Sequence, residues 1–251
     1  MSQRRCLVTG AGRGIGAAVA RRLGLAGHRV ALTARSAGEL AAVAAELSVP
    51  TMQLPADITE PDAADRLVGA MEREWGGVDV LVLNAGVAGS APLARTSDAE
   101  WARMLEVNLT APFRLLRRSV PGMIEQGFGR VVATASIAAK RGEPYIAAYT
   151  ASKHGLLGLV RAAAQELAGT GVTVNAVCPA YVDTSLTADT VARISTLTGR
   201  RPEQARQALE RRQPIGRLVT PDEVADAVLL CVASAAITGQ GINVDGGAVQ
   251  S

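Results

Sequence analysis

Arg5-Cys6-Leu7-Val8-Thr9-Gly10-Ala11-Gly12-Arg13-Gly14-Ile15-Gly16 decides the fold of this chain. Its first five residues read as a short buried strand, the glycines as a tight loop, and the apolar run at 17–26 as a helix. Strand, glycine loop and helix in that order form the context of a phosphate-binding turn. The helix N-terminus offers free N–H groups and the positive end of its dipole to a pyrophosphate. Gly10-x-x-x-Gly14-x-Gly16 describes the loop better than Gly12-x-Gly14-x-x-Ala17, because Gly10 is the first glycine after the strand.

Downstream, the same alternation continues. Residues 28–35 read as a second strand whose end reaches toward an adenosine ribose, and 36–47 as a helix behind a Ser36 cap. An acid at that strand end would accept hydrogen bonds from both ribose hydroxyls, but the chain has Ala34 and Arg35 there, with Arg13 in the loop. Two guanidinium groups with no opposing carboxylate suit a 2′-phosphate, which favours NADP(H) over NAD(H). A short strand at 51–54 leads to Asp57, which either meets the adenine amine or serves the turn into a helix beginning near Thr59-Glu60-Pro61. The apolar run 78–83 reads as a central parallel strand, with Asn84-Ala85-Gly86 at its carboxyl end, where open α/β sheets bind ligands. A long helix is expected over 99–123, carrying Asn108 among apolar neighbours. Strands follow at 131–135, 172–177 and 242–244, with helices at 149–168 and 221–233.

The expected fold is therefore α/β: one Rossmann-type, doubly wound parallel sheet of about seven strands with helices on both faces. No linker, repeat or low-complexity run divides residues 1–251, which read as a single domain. The interruption at 181–217 is too long for an ordinary connection and reads as a lid or substrate loop.

Tyr149 and Lys153 stand four residues apart on one helix face. A free phenol, with a pKa of about 10, is a poor acid or base near neutrality, and a neighbouring cation lowers it. The chain has only two lysines, Lys140 and Lys153, against 24 arginines, so a lysine at this spacing is informative. Ser136 arrives at the end of the fifth strand, facing the same end of the sheet.

Composition narrows the alternatives. Hydrophobic residues make up 48% and charged residues 20%, an ordinary globular balance. Aromatic residues at 3% offer little stacking surface, and a net charge of +3 is too weak to argue for nucleic acid. No run approaches the ~20 apolar residues of a membrane span, and no signal-like segment precedes the first strand. Cys6, Cys178 and Cys231 have neither metal spacing nor a disulfide pattern, and neither histidine has a ligand partner, so no metal site and a reducing cytoplasm are expected.

Thr9-Gly10-x-x-x-Gly14-Ile15-Gly16, Asn84-Ala85-Gly86, Asn108, Ser136, Tyr149-x-x-x-Lys153 and Asn175 before Pro179 occur in one ordered set. With these motifs the chain resembles the short-chain dehydrogenase/reductases along essentially its whole length, and among them ketoacyl-thioester and polyketide ketoreductases. The resemblance implies Tyr149 as general acid to a substrate carbonyl and Ser136 as the hydrogen-bond donor to that oxygen. Lys153 would hold the nicotinamide ribose and lower the tyrosine pKa, and Asn108 would anchor a relay water. It also implies a dinucleotide lined by Gly10, Arg13, Gly14, Ile15, Gly16, Arg35, Asp57, Ile58, Asn84, Ala85, Gly86 and Pro179, with Val182 and Thr184 at the carboxamide. One departure stands out: Ala180 follows Pro179 where the family commonly has glycine, and alanine does not easily take positive φ.

The lid segment 193–217 carries seven arginines against Glu203 and Glu210. A basic rim would suit coenzyme A phosphates or an acyl carrier protein; the plainer reading is a solvated helix. A free ketone or secondary alcohol is the alternative substrate. A cofactor-sensing protein on the same fold would tolerate loss of the Tyr–Lys pair, which this chain retains. Surplus apolar residues on the helices at 99–123 and 149–168, taken with the resemblance, imply a homotetramer.

Overall fold

A computed structural model describes residues 3–250. Met1, Ser2 and Ser251, the ends of the 1–251 domain reading and the start of the leader reading, lie outside the described residues. Seven strands form one parallel sheet: β1 (Arg5–Thr9), β2 (Arg29–Thr33), β3 (Thr51–Gln53), β4 (Val80–Leu83), β5 (Gly129–Thr134), β6 (Val172–Pro179) and β7 (Gly241–Val244). Their order is β3-β2-β1-β4-β5-β6-β7, so the winding reverses between β1 and β4. That junction is where open α/β sheets hold their ligands.

Helices cover both faces, as buried strands with apolar side chains on both sides require. Along β1 and β4 the side chains alternate: Leu7 and Leu81 join one core, Cys6, Val8, Val80 and Val82 the other. Against the first core pack α3 (Ala63–Trp75), α5 (Ala111–Glu125) and α6 (Ala147–Glu166), through Leu67, Leu115 and Leu156. Against the second pack α1 (Gly14–Leu25), α2 (Ala37–Ala45) and α9 (Pro221–Ala233), through Val19, Leu40 and Val224.

Most element bounds agree with the sequence reading to within a few residues, with two corrections. The helix expected from Thr59-Glu60-Pro61 begins at Ala63, because Asp57 and the Thr59 it binds make a turn first. The long helix at 99–123 is two helices, α4 (Asp98–Leu105) and α5, joined by a π turn over Glu106–Thr110. The interruption at 181–217 holds α7 (Ser185–Thr198) and α8 (Pro202–Glu210), with its two ends drawn together by the isolated Val182–Val219 bridge.

Candidate active site

The glycine loop leaves β1 with Gly10 and Gly14 both at positive φ, 63° and 55°, whereas Gly12 is not in that region. The Gly10-x-x-x-Gly14-x-Gly16 reading is the one the backbone follows. Gly16 has no alternative: a Cβ there would stand 2.1 Å from the Gly10 carbonyl oxygen. No side chain caps the start of α1, so its first N–H groups remain available to an anion. The loop fits a dinucleotide pyrophosphate.

Asn84 braces this loop from β4. Its Nδ2 donates to the carbonyls of Thr9 (3.0 Å) and Gly10 (3.3 Å), and its Oδ1 accepts from the Thr134 hydroxyl (3.2 Å). The Thr9 hydroxyl accepts from the backbone N–H of Asn84 and of Ala85. Three strand ends are thereby locked in register around the switch point.

Lys153 lies almost wholly buried on α6 and donates to the Thr134 carbonyl at 2.8 Å. A Cβ on Gly86 would come within 3.6 Å of its Nζ and 3.2 Å of the Asn108 Oδ1, so Gly86 closes over both groups. Asn108, fully buried in the π turn, clasps Val87 from both sides. Its Oδ1 accepts from the Val87 N–H, and its Nδ2 donates to the Val87 carbonyl, each at 2.9 Å. The same Nδ2 donates to Ser152 Oγ at 3.0 Å. Its side chain therefore fixes the backbone directly after Gly86.

Ser136 caps the single 3₁₀ turn after β5, accepting from the Ala138 N–H at 3.1 Å, and its hydroxyl also hydrogen-bonds the Tyr149 phenol. Tyr149, Ser136 and Lys153 thus meet at one place, from β5's end and the first turns of α6. The expected lowering of the tyrosine by Lys153 is not what the chain alone gives. Burial pushes the phenol above its ordinary value, opposed by the Ser136 hydrogen bond. Burial also lowers the Lys153 ammonium to about 8.

The remaining residues divide. Thr184 precedes α7 as its N-cap residue, and its methyl lies 3.2 Å from where a Gly14 Cβ would be, so α7 begins directly over the glycine loop. Pro179 ends β6, Ile15 is partly buried against the core, and Arg35 is exposed. Ile58 and Val182 turn into the two cores, leaving only their backbone to face a ligand. Asp57 serves the turn: its Oδ1 accepts from Thr59 N–H and hydroxyl at 3.0 and 2.7 Å, which hold its carboxyl below the usual range. Ala180 does not take positive φ; the left-handed non-glycine among the described residues is Tyr145. The absence of an opposing carboxylate near Arg13 is also overturned, since Glu39 lies 3.9 Å from its guanidinium. Sequence reading missed Thr9, Thr134, Ser152 and Glu39 as members of the site; for the threonines the available signal was their place at the ends of β1 and β5.

This geometry has relatives. A family model described as enoyl-(acyl carrier protein) reductase matches residues 10–249. The chain belongs to the short-chain dehydrogenase/reductase family. Among its relatives in this oxidoreductase family, the 3-oxoacyl-[acyl-carrier-protein] reductase MabA of Mycobacterium tuberculosis is 37% identical, over 97% of this chain and 92% of the relative. The D-beta-hydroxybutyrate dehydrogenase of Rhizobium meliloti is 34% identical, over 96% of each. A crystal structure of an actinorhodin polyketide ketoreductase with NADPH superposes with a TM-score of 0.95 at 40% identity, covering 98% of this chain and 97% of that one.

Proposed function

We propose that this short-chain dehydrogenase/reductase is an NADP(H)-dependent ketoreductase acting on a 3-oxoacyl thioester or a polyketide-like ketone, as one domain with the lid at 181–217. The observation that carries the reading is the convergence of Ser136, Tyr149 and Lys153 beside the Gly86–Asn108 corner. Arg13, Arg35 and the glycine loop hold the dinucleotide, whose nicotinamide supplies the hydride when bound. Tyr149 delivers its phenolic proton to the carbonyl oxygen, and Ser136 hydrogen-bonds that oxygen as it gains charge. Lys153 orients the cofactor ribose and supplies positive charge beside the phenol. The polyketide and acyl-carrier relatives support the thioester class. A free hydroxy acid or ketone is the second reading, favoured by the hydroxybutyrate dehydrogenase relative.

We further propose a homotetramer in a reducing cytoplasm. In support, Trp101, Phe113 and Ile124 are exposed along α4 and α5, the three cysteines are free and buried, and no described helix is long and apolar enough to cross a membrane. The test is NADPH oxidation with acetoacetyl-CoA at about 340 nm, beside NADH and a free ketone. Tyr149→Phe should lower kcat by about 10²- to 10⁴-fold while NADP⁺ still binds. Turnover that survives in the Phe variant would overturn the acid assignment.

A further inference from the structure

Glu39 occupies the corner that the proposed cofactor's 2′-phosphate would enter. It is the third residue of α2, and its backbone N–H is held by the Ser36 cap at 3.2 Å. Its side chain reaches back to the glycine loop. A Cβ built on Gly12 would meet Glu39 Cβ at 2.8 Å, Glu39 Oε2 at 2.9 Å and Ala34 Cβ at 3.7 Å. Gly12, Ala34, Arg13 and Glu39 therefore share one pocket corner, at the end of β2 where an adenosine ribose lies in this architecture. Arg13 is largely exposed and pairs with Glu39 at 3.9 Å; Arg35, one residue past Ala34, forms no ion pair within 4 Å among the described residues and acts on Asp57 only at longer range.

We infer that Glu39 is a resident counter-ion for Arg13 that limits how strongly the site prefers NADP(H) over NAD(H). The inference rests on the cofactor reading above. A 2′-phosphate arriving beside Arg13 must displace this carboxylate and then sit near its negative charge. A 2′-hydroxyl meets neither obstacle. Gly12 has a specific part in this arrangement, since any side chain there would push Glu39 away from Arg13.

The experiment is calorimetric titration of NADP⁺ and NAD⁺ into wild type, Glu39→Gln, Arg13→Gln and the double variant, at low and at physiological salt. Exposed ion pairs are weak, so Glu39→Gln should tighten NADP⁺ about two- to fivefold and leave NAD⁺ unchanged. The gain should shrink at higher salt and be smaller in the Arg13→Gln background. A parallel change for both dinucleotides would mean a structural effect, and a loss of NAD⁺ affinity would make Glu39 a ribose ligand; either overturns the inference, as does unchanged NADP⁺ affinity. Failure of wild type to bind NADP⁺ at all would overturn the cofactor reading and this inference with it.

Discussion

The ammonium nitrogen of Lys153 lies 5.8 Å from the centroid of the Tyr149 ring. Its hydrogen bond goes to the Thr134 carbonyl, and its surroundings are apolar enough to bring its pKa to about 8. The kcat/KM of an enzyme reports groups of its free form. In the proposed reduction, kcat/KM should therefore decline as the pH passes about 8, where Lys153 loses the charge that assists proton delivery. A pH profile that stays flat to about pH 9.5 would count against this assignment.

The same lysine costs stability. Its pKa is about 8 in the folded protein against an ordinary 10.5, so between those values the unfolded chain binds more protons and stability rises with pH. Below about 8 the cost is at its full size, roughly 3 kcal/mol. Lys153→Met should accordingly unfold at a higher temperature at neutral pH, with the advantage shrinking toward alkaline pH. The net gain should be smaller than the full cost, because the Thr134 carbonyl loses its donor. Thermal unfolding measured across pH decides it; a lower Tm at neutral pH would refute the account.

Asn108 holds both backbone polar groups of Val87. Asn108→Leu leaves a donor and an acceptor unsatisfied and should destabilise the protein by about 2–3 kcal/mol. The Val87 amide should then lose its protection in hydrogen exchange, along with a drop in activity. Full protection at Val87 in a folded variant would show that the clasp is dispensable.

The seven arginines of 193–217 divide by partner, Arg193 donating to the Ser90 carbonyl and the other six forming two sets. Arg206 pairs with Asp183 and Glu210, Arg212 with Glu143, and Arg217 with Glu223. Arg200, Arg201 and Arg211 form no ion pair among the described residues and are exposed. Replacing only these three by Gln should raise KM for acetoacetyl-CoA by about two- to tenfold if they meet its phosphates, and leave a free ketone unaffected. An unchanged kcat/KM on the thioester would assign the rim to solvent.

The seven parallel strands and the helices on both faces were readable because buried parallel strands announce themselves as apolar runs, as at 78–83; the order in which they pair, β3-β2-β1-β4-β5-β6-β7, was not, because it rests on long-range register. Tyr149, Lys153 and Ser136 were readable because their spacing and strand-end positions are local features of the chain. What escaped depended on long-range approach. Glu39 looks like any helix acid until α2 folds back onto Gly12. The raised phenol of Tyr149 reflects burial that spacing does not encode. The π turn leaves no trace in the apolar pattern of 98–125, and the left-handed Tyr145 is of a residue type that rarely adopts that region.

That π turn sets two demands on one segment against each other. A regular helix advances about 100° per residue, so one residue fewer between Glu106 and Thr110 would bring α4 and α5 into a single phase. Local hydrogen bonding would improve, and Asn108 would swing off the Val87 backbone. The backbone most favourable to the helix and the one that builds the corner beneath Gly86 are thus different structures. Efforts to harden this protein by regularising its helices would select for the first at the expense of the second.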